Sequence, residues 1–518
     1  MAHRWRRLFA ALSVSTAASF TFAAPAGPLQ KPDNISLPTL GDTARADLSP
    51  VVERKLGEQI MRDIKRDHDY LDDDPIIEYL NNFGNALVSS VPGGRGEMSA
   101  DFFFFAVRDR MLNAFALPGG FIAAHTGLLV AAQSESELAS VMSHEIGHVT
   151  QRHIARMLGQ QRQDVLLPLA SLILAALAAK ASPDAAMGVL MGGQGLAIQR
   201  QLNFSREAER EADRVGFQIM SSGGYDTTGM VAFFKRLQSA NRMYGDFPAY
   251  LSSHPLTGER IADIQARIRE APQKQRVDSI DFYLVRARAR VLQDESLKGR
   301  ADAKAAFEAQ LAQSGRPQQA GAQYGMAFLA LKQGDLAGAQ KWLDKARATV
   351  ASREGVFSVA RSGGDGATML TGLALEIKLA PGQPKPVLEQ AVKEAEQARD
   401  RFPLSRAIAR QYAKALIAAG HLDEATRYLR DQVQLYREDP KLYDLLANAY
   451  AKQGKIALQH MALAESYVLA GALPAAVQQL NIARKANDVS FYDQAVIDAR
   501  ERELQARQKA EQEEAKER

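Results

Sequence analysis

Apolar positions along most of this chain recur with the period of an α-helix. Ser49-Pro50 is a helix start, a capping residue followed by proline in the first turn, and apolar residues return at helical spacing as far as Ile64. Pro75 opens a second stretch of the same period, which ends near Leu87. The pattern therefore predicts two amphipathic helices at the start of the first folded region.

The period changes to that of β-structure in one short region. A dense aromatic run at 102–107, a polar turn at 108–110 and an apolar run at 111–117 predict two strands. A Pro-Gly-Gly turn at 118–120 precedes a further short strand at 121–124. The aromatic run is interpreted as sheet core, so the pattern predicts a small sheet within a mainly helical chain.

The helix that follows the sheet carries the main chemical signal of the chain. Ser134 and Glu137 form a capping box, and apolar residues continue after them at helical spacing. His144 and His148 stand four residues apart, so their imidazoles project from one face and can hold one Zn²⁺. Glu145 lies beside that face, where its carboxylate can take a proton from a metal-activated water and pass it to a leaving amine. The alternative is an amphipathic helix with two solvated histidines.

The second predicted strand is a candidate substrate-binding element. It contains Asn113 and Ala114 and lies one turn and one helix before the histidine motif. In zinc endopeptidases an extended substrate pairs with an edge strand above the metal through main-chain hydrogen bonds. The strand around Asn113 and Ala114 is therefore expected either to hold substrate in this way or to form a purely structural hairpin.

A charged stretch at 204–213 supplies candidate carboxylates for a third metal ligand. As a helix it places Glu209 and Asp213 on one face, and Glu207 and Glu211 on another. The general interpretation is a solvated helix with ion pairs between successive turns. In a chain with two histidine ligands, a downstream helical glutamate can complete a His₂Glu site. An aspartate one turn later can hold an imidazole by its other N–H.

The segment between these two motifs is apolar. Residues 165–179 carry no charge, but they include Pro168 and are short for a membrane span. Three interpretations stay open for this segment. It is a helix buried on the catalytic region, a flap over the cleft, or a surface for a hydrophobic partner or a peripheral membrane contact.

Alanine-rich helices dominate the chain beyond residue 278, and glycines mark their turns. Gly334, Gly420 and Gly454 each lie between two helical segments, and the last two are 454 − 420 = 34 residues apart. This interval is the period of tetratricopeptide repeats, whose stacked helix pairs form a concave surface for a peptide or protein partner. A further unit around Gly471 follows after half a period. An alanine-rich helical domain with chance periodicity is the alternative.

The N-terminus has the pattern of a secretory signal peptide. Basic residues precede an apolar, small-residue run at 8–24, and small residues suited to cleavage stand before Gly27. A membrane anchor is the competing interpretation. Subtracting Arg4, Arg6 and Arg7 leaves about +1 (4 − 3) of the formal net charge of +4, so nothing demands nucleic acid as a partner. The chain has 0 cysteines, which excludes disulfides and a lipid anchor on cysteine.

Several motifs together resemble the HtpX/BepA group of zinc endopeptidases, which are relatives of the CAAX prenyl proteases. The matching stretches are H-E-x-x-H at 144–148, S-R-x-x-E-x-x-A-D at 205–213, S-H-P at 253–255, N-A-F-A-L-P-G-G at 113–120 and H-T-G-L at 125–128. The likeness is strongest to BepA-like exported proteins, which join a peptidase to tetratricopeptide repeats and serve outer-membrane β-barrel assembly. It covers residues 45–270 closely and the rest at the level of architecture.

The resemblance implies roles for individual residues. It makes Glu209 the third ligand of one Zn²⁺ per chain, and it makes Asp213 part of the catalytic apparatus. Asp213 is described in the family as proton donor or as support for a ligating imidazole, and support is favoured on physical grounds. His254 matches a histidine that approaches the metal, where it either stabilises the oxyanion or occupies the open metal position and holds the enzyme latent. His153 is interpreted as a surface histidine on the same helix as the motif, and His125 as a turn residue.

These observations predict a mainly α fold with a small β-sheet. A zincin-type metalloprotease domain is followed by an α-solenoid of tetratricopeptide repeats. The expected divisions are a signal peptide at 1–26, the H-E-x-x-H domain at 27–275, the repeats at 276–500 and a charged tail at 501–518. Because BepA-like proteins commonly tie the two parts together with cysteines and this chain has none, any docking of repeats on the protease must be non-covalent.

The function expected from the sequence is that of an exported, periplasmic zinc endopeptidase with Glu145 as general base. Its repeats are expected to recruit protein substrates, above all misfolded outer-membrane proteins, and the β-barrel assembly machinery is a further candidate partner. The alternative is a chaperone-like assembly factor whose peptidase is latent because His254 lies on the metal.

Overall fold

The structure, a computed structural model, describes most of the chain from residue 49 onwards. The described residues are 49–92, 94, 96, 102–159, 206–244, 249–271, 274, 276–313, 315–351 and 365–517. The predicted signal peptide at 1–26 and the apolar segment at 165–179 lie outside these ranges. Within them, no helix has both the length and the apolar character that crossing a membrane requires.

The first region combines short helices with a small sheet. Its elements are α1 (Pro50–Ile64), α2 (Asp74–Val88), β1 (Phe103–Val107), β2 (Ala114–Leu117), β3 (Phe121–His125), α3 (Thr126–Ala131), α4 (Glu135–Thr150), α5 (His153–Gly159), α6 (Arg206–Ser222), α7 (Thr228–Tyr244), α8 (Ala249–Ser253) and α9 (Gly258–Glu270). Both predicted N-terminal helices are confirmed. Ser49 caps α1 and Asp73 caps α2, each through a side-chain oxygen that accepts a main-chain N–H.

The strands described here form one sheet in the order β1-β3-β2. β1 runs parallel to β3 and β2 runs antiparallel to it, so the polar turn at 108–110 closes no hairpin between β1 and β2. β2 also begins later than predicted, at Ala114, because the Asp109 carboxylate accepts the N–H of Met111 and turns the chain there. This order leaves β2 at one edge of the sheet.

The aromatic run of β1 is sheet core on both faces, as predicted. Phe104 belongs to the main apolar core, together with Met142 and Ile146 of α4. Phe105 points the other way and packs in a separate cluster with Ile60 of α1. The sheet is therefore covered by α1 on one side and by α2 and α4 on the other.

α4 is the buried centre of the first region, since all of its residues are below the surface. Ser134 caps the helix by accepting the N–H of Glu137 at 3.1 Å, and the Glu137 carboxylate in turn accepts from Gln133 N at 2.9 Å. The predicted capping box is therefore present, with its return bond one residue earlier than in the usual pattern. α6 and α7 pack against the same helix.

Stacked helical hairpins make up the second half of the chain. Their helices are α10 (Ile280–Gln293), α11 (Leu297–Gln313), α12 (Arg316–Lys332), α13 (Leu336–Ala351), α14 (Ala367–Lys378), α15 (Lys385–Arg401), α16 (Arg406–Ala419), α17 (Leu422–Leu435), α18 (Pro440–Gln453), α19 (Ile456–Leu469), α20 (Leu473–Arg484) and α21 (Phe491–Glu517). Gly420 ends α16 and Gly454 ends α18 with φ values of 87° and 72°, a left-handed conformation that favours glycine. The predicted helical-repeat architecture is confirmed.

One apolar core extends across the predicted domain boundary at 275. Buried residues from Leu71 to Ile377 of α14 belong to a single cluster, and α10 packs on α2 and α3 as well as on α12. Later helices form clusters of their own. The predicted tail at 501–518 belongs to α21, and its Leu504 is buried beside Ile497, so the charged end is packed against the array as far as that residue.

Candidate metal centre

Two imidazoles meet on one face of α4. His144 and His148 are one helical turn apart, and their Nε2 atoms lie 3.0 Å from each other in a buried position. Two nitrogens bound to one zinc ion at about 2.0–2.1 Å are separated by roughly 3.3 Å in a tetrahedral site. The two rings are therefore arranged as metal donors rather than as solvated side chains.

α6 brings a carboxylate to the same point. Glu209 is 1% exposed, and its oxygens lie 3.5 Å from His144 Nε2 and 3.4 Å from His148 Nε2. Of the other acidic residues of α6, Glu207 points to solvent with an 81% exposed side chain. Glu211 lies on the far side of His148, where its Oε2 is 3.0 Å from His153 Nε2.

Glycines allow α4 and α6 to cross this closely. A Cβ added to Gly147 of α4 would stand 2.9 Å from the carbonyl oxygen of Ala212. A Cβ added to Gly216 of α6 would stand 3.0 Å from the backbone nitrogen of His144. Because hydrogen replaces a side chain at both points, each helix can present its ligand residues at short separation.

His254 joins the cluster from the turn after α8. Its Nδ1 lies 2.9 Å from Glu209 Oε1 and 3.4 Å from His144 Nε2. Its Nε2 faces Glu145, with 3.6 Å to Oε1. One donor atom from each of the three histidines and from Glu209 lies within 4.8 Å of all the others. Imidazole nitrogens and a carboxylate oxygen are the donors that zinc accepts in proteins, so the residues present fit that ion.

Glu145 stands beside the cluster, and no hydrogen bond to its carboxylate is found among the described residues. The residue is fully buried. A buried carboxylate costs free energy unless a ligand, a water or an ion pairs with it. Its oxygens are therefore available to accept a hydrogen bond from a water or a substrate.

Further charged groups lie behind His144, on the side of its Nδ1 atom. Asp213 Oδ1 lies 2.9 Å from His144 Nδ1, so the carboxylate accepts this N–H and the ring keeps Nε2 for a metal. Arg260 of α9 donates to both Asp213 oxygens at 2.6 and 2.8 Å, and its Nη1 is 2.7 Å from Glu209 Oε2. The sequence prediction missed Arg260, because its helix carries further arginines and no spacing distinguishes it from them.

Charge pairing sets the protonation of this buried cluster. Burial favours the neutral imidazole of His144, but the Asp213 and Glu209 carboxylates outweigh burial and raise its pKa to about 9. Burial keeps the pKa of His148 well below its ordinary value. Burial also opposes ionisation of Glu209, yet His254 and the other two imidazoles hold the pKa of its carboxyl well below the usual range. A metal ion that takes the same donors must displace the proton on His144, so metal uptake releases protons.

Two histidines lie elsewhere than predicted. His153 is not a surface residue on the motif helix, because it begins α5, is 3% exposed and has its Nδ1 2.9 Å from His148 Nδ1. The chain turns between the two helices at Arg152, which has a φ of 52°. His125 is the last residue of β3 rather than a turn residue, and it is buried with its Nδ1 3.2 Å from Asp109 Oδ2.

The candidate substrate strand lies at the sheet edge next to α4. Ala114 pairs with Ala124 of β3, and the main-chain oxygen of Asn113 accepts from His125 N at 3.0 Å. The other side of β2 pairs with no strand in the part of the chain that the structure describes. Main-chain groups on that side can therefore pair with an extended peptide, and this role stays a prediction.

Comparison with known proteins gives one family match and several relatives. Residues 94–268 match the model of peptidase family M48. The β-barrel assembly-enhancing protease of Escherichia coli strain K12 is 31% identical over 465 residues, which are 90% of this chain and 90% of that protein. A Vibrio cholerae relative named for the same activity is 39% identical over 267 residues, 51% of this chain and 54% of the relative, so the match spans about half of its length. The mitochondrial metalloendopeptidase OMA1 of Schizosaccharomyces pombe is 31% identical over 177 residues, 34% of this chain and 49% of that protein.

Proposed function

Since the chain belongs to the β-barrel assembly-enhancing proteases, which are zinc metalloendopeptidases of peptidase family M48, we propose that His144, His148 and Glu209 bind one Zn²⁺ and that the chain cleaves proteins. The convergence of donor atoms from three separate elements supports this proposal most strongly, because residues as far as 110 positions apart meet in one buried cluster. Buried ionisable groups that lie so close together are costly, and a fold retains them where a ligand or a reaction needs them.

Each side chain of the site has a defined part in the reaction. A Zn²⁺ ion held by His144, His148 and Glu209 would supply Lewis-acid chemistry, lowering the pKa of a water and polarising the scissile carbonyl. Glu145, whose carboxylate has no hydrogen-bond partner among the described residues, accepts the proton of the attacking water and returns it to the leaving amine. Asp213, held by Arg260, keeps His144 in the tautomer whose Nε2 can ligate.

Substrate binding involves both regions of the chain. An extended peptide pairs with the edge of β2 at Asn113 and Ala114, beside the helix that carries the histidines. The stacked hairpins, two of which begin 440 − 406 = 34 residues apart at Arg406 and Pro440, offer a surface for the rest of a client protein. The names of the relatives refer to β-barrel assembly. We propose that the clients are misfolded outer-membrane β-barrel proteins, with the β-barrel assembly machinery as a further partner. We propose that the chain performs this function in the periplasm, with residues 1–26 as the predicted signal peptide.

A second function is that of a chaperone-like assembly factor with a latent peptidase. The position of His254 favours it, because this histidine adds a fourth protein donor to the cluster. Catalytic zinc sites keep one coordination position open, whereas four protein donors close a tetrahedral site. While His254 closes the metal site, the helical array binds clients without cleaving them. Cleavage begins only when His254 moves away from the metal position.

Metal content and one substitution test the enzymatic function. The purified full chain is expected to hold one zinc per molecule. Glu145→Gln should keep the metal and lower casein cleavage by roughly 10²- to 10⁴-fold, because the general base is lost. A chain without stoichiometric zinc, together with a Glu145→Gln variant that cleaves casein like the unmodified chain, would overturn the proposal.

His254→Ala distinguishes the two functions. Cleavage by this variant rises if His254 closes the metal site, and it falls if His254 stabilises the oxyanion. A complementation assay gives a second readout. If a Glu145→Gln chain fully restores envelope integrity to cells that lack the protein, client binding rather than proteolysis is its main task.

A further inference from the structure

A sharp turn brings the chain back onto the metal cluster after α4. Arg152 has a φ of 52°, a left-handed backbone conformation that costs free energy in any residue other than glycine. Its side chain is fully buried, and its Nε lies 3.2 Å from Glu53 Oε2 of α1. The pair between Arg152 and Glu53 joins residues 99 positions apart, so packing with α1 holds the turn in place.

The turn places His153 against the outer edge of His148. The Nδ1 atoms of the two rings are 2.9 Å apart, and the ring planes stand at 79° to each other. Both rings are buried. The contact is on the side of His148 that faces away from His144 and Glu209, so it can act on the ligand without entering the metal site.

Only one arrangement of protons satisfies this contact when His148 ligates a metal. His148 Nε2 must then offer its lone pair to the ion, so Nδ1 carries the hydrogen and donates it to His153 Nδ1. His153 consequently carries its own hydrogen on Nε2, which donates to Glu211 Oε2 at 3.0 Å. Arg156 Nη2 donates to the same oxygen at 2.7 Å. A directed chain of hydrogen bonds thus runs from the metal ligand to a carboxylate held by an arginine.

The two metal-binding histidines are supported differently. Asp213 accepts directly from His144, whereas His148 reaches Glu211 through an intervening imidazole. Both carboxylates come from α6, at two and four residues after Glu209. One helix therefore contributes a ligand and anchors the outer nitrogens of both rings.

We propose that His153 is a positioning residue that, together with Glu211, fixes the tautomer and ring orientation of His148 and so strengthens metal binding. The inference rests on the proposed function, because it takes His148 to be a metal ligand. Groups that orient a ligating histidine in this way typically contribute roughly 10- to 100-fold to metal affinity. The spacing of H-E-x-x-H gives no sign of this role, since His153 falls in a different helix.

The test measures the Zn²⁺ dissociation constant of the full chain by competition with a chromogenic chelator. His153→Phe keeps the ring volume but removes both nitrogens, and it should weaken zinc binding by roughly 10- to 100-fold. His153→Asn places an amide oxygen near the position of Nδ1, so this variant should restore most of the affinity. His421→Phe, at the residue that precedes α17, is the control, and it should bind zinc like the unmodified chain.

Thermal unfolding of each metal-free variant shows whether it is folded. If His153→Phe does not fold, Glu211→Gln decides, because it keeps the side-chain volume, weakens the acceptor of His153 and should lower zinc affinity by a smaller factor. Folded variants of His153 or Glu211 with the affinity of the unmodified chain would overturn the inference, and so would an Asn variant as weak as the Phe variant. An unmodified chain that binds no zinc would overturn the proposed function as well.

Discussion

Arg260 shows how a single buried side chain stabilises a cluster of charges. It is 3% exposed, donates to both oxygens of Asp213 and to the carbonyl oxygen of Pro255, and has Nη1 2.7 Å from Glu209. Charged side chains are tolerated inside a protein when they are paired with an opposite charge. If a substitution removes one partner, the other remains as an unpaired buried charge, which destabilises the folded state. Two carboxylates of the candidate metal centre depend on this guanidinium.

Arg260→Met is therefore expected to destabilise the metal-free chain. The free energy of unfolding should fall by about 3–5 kcal/mol, because Asp213 and Glu209 lose their shared cation. Urea unfolding followed by circular dichroism measures the change. Arg267→Met is the control from the same helix, since Arg267 forms a partly exposed pair with Asp263 and its loss should cost at most about 1 kcal/mol. Equal losses for the two variants would contradict the assignment.

The buried carboxyl of Asp281, away from the metal centre, is expected to make the stability of the fold depend on pH. Burial raises the pKa of its carboxyl to about 7, and the carboxylates of Asp365, Glu135 and Glu78 add to this, while a hydrogen bond from Gly366 N opposes it. Among the described residues its Oδ1 has no hydrogen-bond partner. The folded carboxyl holds its proton up to about pH 7, whereas the unfolded one loses it near pH 4, so stability falls as the pH rises through this window.

Asp281→Asn should remove this contribution. The variant is expected to match the unmodified chain near pH 4 and to be more stable by on the order of 4 kcal/mol at pH 8, because the amide has no proton to lose. Urea unfolding at a series of pH values measures the difference. Asp302→Asn, at an exposed position of α11, should show no such trend. A stability difference that does not grow between pH 4 and pH 8 would show that the Asp281 carboxyl ionises normally.

At the scale of elements, the crossing of α4 and α6 decides whether the metal donors meet. Glu209 reaches the two imidazoles because Gly147 and Gly216 remove side chains from the interface. The same helices contribute most of the charged groups of the site, so a small increase in their separation acts on several distances at once. Packed interiors transmit such displacements because they have little free volume.

Gly147→Ala tests the importance of this crossing. The new methyl group would stand 2.9 Å from the carbonyl oxygen of Ala212, so the helices must move apart. Overpacking of this kind costs about 1–3 kcal/mol, of which better helix propensity offsets up to about 1 kcal/mol. We expect lower stability in urea together with weaker zinc binding. Gly258→Ala at the start of α9 is the control, since no atom of the described residues lies within 4 Å of its added Cβ. The stability of this variant should be unchanged or slightly higher.

At the scale of the whole molecule, the protease region contacts the later helices of the array through charged groups. Asp74 at the start of α2 pairs with Arg410 of α16 at 2.5 Å and with Lys441 of α18 at 2.6 Å. Arg66 donates to the carbonyl oxygen of Ala470 at 2.6 Å. The apolar core of the first region reaches only as far as α14 in the described chain. Polar and charged contacts therefore join the first region to these later helices, whereas the shared apolar core joins it to the helices up to α14.

Reversing the charge of Asp74 should loosen this docking. In Asp74→Lys the new ammonium faces Arg410 and Lys441, and like charges at short distance repel. The chain has no cysteine, so cysteines introduced as Lys55→Cys and Lys485→Cys would be the only two sites that take a thiol-reactive spin label. Both positions are exposed. The distance distribution from pulsed electron resonance should broaden in the variant, and in the unmodified chain at high salt. The control Asp302→Lys should leave the distance distribution as narrow as in the unmodified chain. If the distribution is also unchanged in Asp74→Lys, these ion pairs do not hold the array on the protease region.

Features that depend on near neighbours in sequence were predictable. The i,i+4 spacing of His144 and His148, the capping box at Ser134 and the glycine turns at Gly420 and Gly454 all follow from local geometry. Helical periodicity placed Glu209 and Asp213 on one face of α6. The resemblance to a family then selected Glu209 as the candidate ligand. The architecture of a protease followed by helical repeats came from the same sources.

Features that depend on distant contacts were not predictable. The order of the strands, the burial of Leu504 and the place of Arg260 behind the cluster are set by packing between elements. His153 is the clearest case, because the turn at Arg152 depends on a partner in α1.

The sequence by itself determined which residues share a helix face, since backbone geometry repeats every 3.6 residues whatever lies around it. Which faces meet, and which charges are paired once they do, was decided only by the tertiary structure. The physical reason is that burial and ion pairing are properties of the assembled interior, where residues far apart in the chain replace water as each other's neighbours.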